Sequence, residues 1–456
     1  MKNRVTALIA IPCMMGWVTA NAQVASITYD ENRVFYGSYY QSADVANDAA
    51  DDFFLRDRYT AADARWQRGY DPDPVRVGPF EVSPVLELGL SNSSNLFLVD
   101  EGQPVIPPAV PPMEISDTYT RVVGQASAQT TFSRHMFGFD AIAENEAYFD
   151  TGSEDATEYG VRGFGQVDLS SSLAVAGSVS FRDGREDRTN IGGNISAAER
   201  LSFEKTGAEI NTAYEFNRIR LRARGSTATY DFGNVRFTDG TSVAQDFRDF
   251  DENRFAASAE YAVSRDWSII GEVERVERDY DQLLGNVLTG INRDTTGDII
   301  RVGTSFELPS NLRGQVSAGY LSFEPDGANL PKEDGLALYA DVQWFPTELT
   351  TLSFNAGRDV ADPGGVAAPS VLVTQYGAGI AHELLRNVVL TGDIVFEERD
   401  FSVINRTDEQ TGYGVGATWK VNRNMHLLGG YQFTDRESDF EPFDESRVFI
   451  TLRLFP

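Results

Sequence analysis

Histidine, cysteine and carboxylate side chains carry most protein chemistry, and this chain is poor in the first two and rich in the third. It has three histidines, His135, His382 and His426, one cysteine, Cys13, and 68 Asp and Glu against 39 Lys and Arg. A hydrolytic centre or a metal site needs several such side chains converging on one point. The histidines stand on separate segments, each beside a short polar turn, so convergence is not expected. No Gly-rich phosphate loop is present, and a carboxylate pair picked from so many acids would carry no specificity. The sequence therefore points to no catalytic, cofactor-binding or metal-binding residue, and the expectation is a chain that is not an enzyme.

The most directed arrangement of charge is a file of arginines. Arg220, Arg222 and Arg224 alternate with Ile219, Leu221 and Ala223, and the period of two places them on one face of a strand. Three guanidinium groups in file must meet water or carboxylates. Acids on comparable faces elsewhere include Glu144, Asp168, Glu272, Glu274, Glu307, Asp341 and Asp393, with Glu158, Glu209 and Glu260 beside them. One reading is a wall of cross-strand Arg–carboxylate pairs that stiffens a sheet. The other is a basic strip facing an acidic one across an aqueous lumen, orienting a passing solute. The two are compatible, and both require the strand faces to enclose water.

The elements that would position these residues alternate throughout. In Leu173 to Arg182 one face reads Leu173, Val175, Gly177, Val179, Phe181 and the other Ala174, Ala176, Ser178, Ser180, Arg182. The same split recurs from Ile300 to Leu308, Leu336 to Trp344, Val388 to Phe396 and Tyr413 to Trp419. Short polar connections fall at Ser133 to His135, Ser170 to Ser172, Phe216 to Arg218, Ser264 to Asp266, Pro309 to Asn311, Phe345 to Glu348, Glu383 to Asn387 and Val421 to Asn424. Long polar loops lie between them, at 91–117, 149–157, 184–200, 232–252, 281–298, 324–334, 359–369, 402–411 and 434–446. Eight short turns alternating with nine long loops give about eighteen strands, with sixteen as the alternative. The expected fold is an all-β, closed antiparallel transmembrane barrel, short turns on the periplasmic side and long loops outside.

Aromatic residues are placed accordingly, since Trp and Tyr favour the two water–lipid interfaces. Trp267, Trp344 and Trp419 all fall beside short turns on the apolar stripe, while Tyr320 and Tyr431 approach the long-loop ends. The alternation is least regular from Trp267 to Tyr280. The chain ends on a strand, Arg447 to Phe455, expected to close against one starting near Val82. Two stretches could constrict the lumen: Glu101 to Met113, with five prolines, and the acidic Asp246 to Asn253.

Ahead of the barrel, Lys2 and Arg4 precede an apolar run from Val5 to Val18 and the small triplet Ala20-Asn21-Ala22. This pattern predicts a secretory signal over 1–22, cleaved after Ala22. Its removal leaves 434 residues with 37 Lys and Arg against 68 Asp and Glu, a formal charge of −31 and no cysteine. A chain this acidic is not expected to bind nucleic acid. Residues 23–74 lack alternation and are rich in Asp and Ala. They read as a loosely ordered acidic periplasmic arm, helical in part over 42–70 or, on the sharper reading, inserted in the lumen as a plug. The barrel is expected over 75–456.

One family resemblance rests on the start of the barrel. The segment Val75-Arg76-Val77-Gly78-Pro79-Phe80, then Val82-Ser83-Pro84-Val85-Leu86-Glu87 and Ser94-Asn95-Leu96-Phe97, resembles the opening of the outer-membrane β-barrel porins known as β-barrel porin 2. The resemblance implies a cell outer-membrane channel, some relatives being associated with exopolysaccharide synthesis and export, and it transfers no catalytic residue. Expected partners are outer-membrane lipid and lipopolysaccharide, the barrel assembly machinery and periplasmic polysaccharide-export proteins. The alternatives are a general or substrate-selective diffusion porin and a structural or adhesive barrel with a plugged lumen.

Overall fold

The computed structural model describes residues 53, 54, 56, 58–100, 114–190, 197–237, 240–283, 290–327, 330–362, 364, 370–401 and 404–456. The signal, the arm up to residue 52 and the proline-rich stretch 101–113 lie outside the described residues. Eighteen long strands are present among those described: β1 Phe80–Ser93, β2 Asp117–Thr130, β3 His135–Tyr148, β4 Ala156–Asp168, β5 Leu173–Arg185 and β6 Ser202–Phe216. Next come β7 Ile219–Phe232, β8 Phe250–Ser264, β9 Trp267–Tyr280, β10 Thr295–Leu308, β11 Leu312–Pro325 and β12 Glu333–Thr347. The last six are β13 Thr350–Ala361, β14 Val371–Leu385, β15 Val388–Phe401, β16 Arg406–Asn422, β17 Met425–Glu437 and β18 Phe443–Leu454. Each pairs antiparallel with its sequence neighbours, and β1 pairs with β18 from Leu86↔Leu454 to Ser93↔Arg447, so the sheet closes and leaves no edge in lipid.

The closing strand starts four residues earlier than the alternation suggests, at Phe443. Below the seam, β1 is shielded by a short strand, Val75–Val77, folded back on it through Gly78 at a φ of 61°. Pro84, which cannot donate to a ladder, lies in that lower part.

Turn chemistry sets the short-turn end. Asn217 and Asn311 take left-handed φ values of 54° and 64°, the conformation that tight antiparallel connections demand and Asn tolerates. Bulges precede four of these turns, between Ala262 and Ser264, Trp344 and Thr347, Glu383 and Leu385, and Lys420 and Asn422. In the last three cases the strand runs on through residues that read as turn in the sequence, because a bulge inserts a residue without ending the pairing. β9, where alternation is poorest, is nevertheless continuous and paired on both sides. Its irregularity has two sources: Ile270 and Val276 face inward and are buried, and Arg275, facing outward, bonds Glu277 and Asp298 at 3.0 Å.

The solvation is inverted relative to a soluble protein. Leu86, Leu88, Leu90, Val179, Ile300 and Val302 are exposed on the outer face, while Glu87, Asp140, Lys205, Arg220 and Arg453 are buried within. This is the distribution lipid outside and a polar lumen inside require. Trp267, Trp344 and Trp419 form an exposed row at the short-turn end. Tyr320 is exposed at the other end, its hydroxyl 2.7 Å from Asp334. Tyr431 bonds Ser446 at 3.0 Å and lies beside Tyr413.

Candidate functional site

The lumen brings Arg220 and Arg224 of the arginine file to carboxylates on β6 and β9. Arg220 pairs with Glu215 and its guanidinium lies 4.4 Å from the ring of Phe54. Arg222 projects from the same face of β7, and Arg224 reaches Glu274 at 3.7 Å. Glu274 also takes Arg254 at 3.3 Å and Arg301 at 3.3 Å, and Arg301 pairs with Glu272. Around the seam, Arg121 links Glu144 at 2.7 Å and Glu87 at 3.6 Å, and Glu87 takes Arg453 at 2.6 Å. Arg182 reaches Glu158 at 3.1 Å. These are cross-strand pairs on the inner face, each charge compensated by a neighbour.

The remaining acids of the sequence reading have other surroundings. Asp168 sits at the short-turn end and accepts Gln166 Nε2 at 2.9 Å. Glu307 accepts the backbone N–H of Arg58, with both carboxylate oxygens at 3.1 Å. Asp341 and Asp393 face the lumen from β12 and β15, and among the described residues neither hydrogen-bonds or ion-pairs with a basic side chain. The histidines are taken up separately. His135 Nδ1 accepts the N–H of Asp168 at 3.3 Å, His382 Nδ1 lies 3.0 Å from Thr350 Oγ1, and His426 Nε2 lies 2.7 Å from the carbonyl of Tyr70.

The last contact belongs to the arm, whose described part follows the inner wall at the short-turn mouth and crosses it strand by strand. Arg56 donates to Ser268 Oγ at 2.9 Å, and Arg58 pairs with Asp266. The Tyr59 hydroxyl donates to the Leu308 carbonyl at 3.0 Å, and its own carbonyl accepts Arg313 at 2.8 Å. The Ala62 N–H donates to Thr351 at 2.9 Å, and Gln67 to Glu383 at 3.0 Å. The Asp71 carboxylate meets Lys420 at 2.6 Å with both side chains buried. Between Arg58 and Asp71 the chain forms turns and no helix. Burial raises the Asp63 pKa above its ordinary value, against backbone N–H groups and the more distant Lys420 charge.

The opposite mouth is narrowed by the loop after β5. It is fixed at its base by Glu186, which takes Arg248 at 2.7 Å, and by Arg188, which meets Glu154 at 2.6 Å and lies 4.9 Å from the ring of Phe97. Its first stretch reaches across the barrel: the Thr189 carbonyl accepts Arg399 of β15 at 3.0 Å and Arg436 of β17. Burial disfavours the Asp187 charge, but Arg447, the N–H and hydroxyl of Thr189, and Arg200 outweigh it and hold the carboxyl below its usual range. Asp187 and Thr189 thereby form a polar slot with Gln432, Thr434, Glu445 and Arg447.

A second inward element is formed by the paired ends of β13 and β14. Pairing with β12 stops at Leu338↔Arg358, while Val360↔Leu372 and Ala361↔Val371 continue. Val360 and Leu372 then pack on Val276, Ile299, Leu321 and Phe323 of β9 to β11, and Arg278 donates to the Val360 carbonyl at 3.0 Å. Of the two stretches expected to constrict, 101–113 is outside the described residues. In the other, Asp246–Arg248 forms a 3₁₀ turn that supports the β5–β6 loop through Arg248. The crossing loop itself was not singled out by sequence. Its signal is Arg185, Arg188 and Arg200 in one loop of a chain short of bases.

The family model described as "Putative beta-barrel porin 2" matches residues 68–455. No curated protein matches the chain. Among solved structures, OccK2 (OpdF) of Pseudomonas aeruginosa is 11% identical, over 82% of this chain and 98% of that one, with a TM-score of 0.45. A BenF-like porin from Pseudomonas fluorescens Pf-5 is 10% identical, over 83% and 100%, also at 0.45. The copper transporter OprC is 11% identical, over 84% and 82%, at 0.47.

Proposed function

The chain belongs to the β-barrel porin 2 family, and on that premise we propose that this porin-like outer-membrane barrel is a selective diffusion channel for small polar solutes, narrowed at both mouths. The observation that carries the reading is the tether of Thr189 to Arg399 and Arg436, which draws the β5–β6 loop across the lumen. An eighteen-stranded barrel without such a loop encloses a wide aqueous channel. A loop held over that lumen by charged hydrogen bonds reduces it to a passage whose lining can discriminate. The arm along the short-turn rim narrows the other end.

Exopolysaccharide export, which the resemblance implies, is the second reading. A polymer strand needs more room, so it requires the arm or the loop to withdraw, and periplasmic export proteins would be the partners that cause this. Lipopolysaccharide on the outer face and the barrel assembly machinery are partners under either reading, and both readings assume cleavage of the signal after Ala22.

The test is conductance of the purified mature chain in planar bilayers. Discrete small steps are expected. A silent bilayer sinks the channel reading and leaves the plugged structural barrel. Large, unselective steps sink the narrowing.

A further inference from the structure

The inner wall formed by β12 to β17 differs from the rest of the lumen. Two adjacent rows of paired residues run across it. One passes through Asp341, Asn355, Gly377, Val395, Gly412 and Thr434. The other passes through Ser353, Gly379, Asp393, Gly414 and Gln432. Glycine at these places is what lets the polar side chains lie flat. A Cβ on Gly414 would stand 2.9 Å from Asp393 Oδ1, and one on Gly377 would stand 2.5 Å from Asn355 Oδ1. Asp393 and Asn355 therefore rest over the backbone of the neighbouring strand instead of standing into the lumen. The facing walls carry standing Arg–Glu pairs, so at the level of these two rows the glycine side is the lower wall. Both rows end at Thr434 and Gln432, two of the residues that form the slot with the first stretch of the β5–β6 loop.

Charge separates the walls further. Arg121, Arg182, Arg220, Arg254 and Arg301 are held by carboxylates, and a close pair presents little net field to a passing ion. Among the described residues Asp393 has no base near it, and Asp341 has only Arg313, whose guanidinium is bonded to Gln343 and the Tyr59 carbonyl and not to the carboxylate. Resting on the channel reading above, we propose that Asp341 and Asp393 set its charge selectivity, and that the solutes it passes best are small cations, organic ammonium compounds included. Carboxylates on a low wall attract a cation and accept its N–H donors, with Asn355 as a neutral acceptor between them, while an anion meets uncompensated negative charge.

The experiment is the reversal potential of the mature full-length chain in planar bilayers under a KCl gradient. The wild type is expected to favour K⁺ over Cl⁻. Asp341→Asn with Asp393→Asn, close to isosteric, should lower the permeability ratio by about threefold or more, since each removes a full charge beside the path. Asn355→Asp should raise it. Heat-modifiable gel mobility verifies that each variant is a folded barrel, and Asn355→Asp tests the proposal independently where the double variant does not fold. Anion preference in the wild type overturns the proposal, as does a ratio indifferent to the substitutions. A conducting channel with either result leaves the porin reading standing, whereas a silent wild type removes both.

Discussion

Asp71→Asn should release the arm from the short-turn mouth. In the folded chain Asp71 Oδ1 lies 2.6 Å from Lys420 Nζ, with side-chain exposures of 0% and 4%, and Asp71 Oδ2 accepts the Gln67 N–H. The amide keeps the volume and an acceptor but leaves the ammonium of Lys420 buried without its counter-charge. Breaking a buried pair by removing one partner costs about 3–5 kcal/mol, and every ~1.4 kcal/mol is tenfold in an equilibrium. Opening of the arm should therefore become on the order of a hundredfold to a thousandfold more frequent. Limited trypsinolysis of the detergent-folded barrel reads this directly. The arm offers Arg56, Arg58, Arg65 and Arg68, and cleavage of a transiently opened segment follows the open population when reclosing is fast. Asp71→Leu combined with Lys420→Met should bring the rate back towards wild type, because a well-packed apolar pair replaces a buried ion pair at little cost. A cleavage rate within about threefold of wild type for Asp71→Asn, in a barrel that remains heat-modifiable, would falsify the claim that this pair holds the arm.

Two further outcomes test the mouth and the wall. Asp249, just ahead of β8, has its pKa pushed up to about 6 by burial and by Asp231, Asp246 and Asp281, against the bond donated by the Phe232 N–H. The folded loop thus holds a proton that the open loop has lost, so its stability falls as pH rises from the ordinary carboxylate range through 6. Nicking of this loop by an added protease, corrected for the protease's own pH profile, should be slower at pH 5 than at pH 7.5, and Asp249→Asn should abolish the difference; an unchanged difference refutes the assignment. On the wall, Ile300 faces outward and Arg301 inward, where it pairs with Glu272. Ile300→Arg should cost about 2–4 kcal/mol in reversible unfolding from lipid vesicles. No loss of stability would mean that this stripe does not face lipid.

The barrel was legible because its two solvents impose a local code. Lipid on one side and water on the other force a period of two, and tight turns need Asn or other permissive residues, so Leu173 to Arg182 or Phe216-Asn217-Arg218 can be read within a few positions. The mouths are not written locally. Asp63, Asp71 and their alanine-rich surroundings have the composition of a solvated tail, and only the partners Thr351, Glu383 and Lys420, hundreds of residues away in sequence, turn that stretch into an ordered strap. The loop after β5 likewise takes its course from Glu154, Arg399 and Arg436, none of them near it in the chain.

The inner acids make the same division sharper. Alternation assigns a residue to a face but says nothing of its height against the next strand or of what else competes for a nearby base. Glu144 and Asp341 are indistinguishable by pattern. Register sets Glu144 against Val123, two residues from Arg121, whose guanidinium it captures, and sets Asp341 against Gln315, two residues from Arg313, whose guanidinium goes instead to Gln343 and the Tyr59 carbonyl. What separates the two carboxylates is therefore the competing acceptors around each arginine, one of them supplied by the distant arm. Arg220 and Arg224 of the file that stands out in the sequence are satisfied by Glu215 and Glu274, and on the proposal above selectivity falls to two aspartates that alternation does not distinguish from the other inner acids.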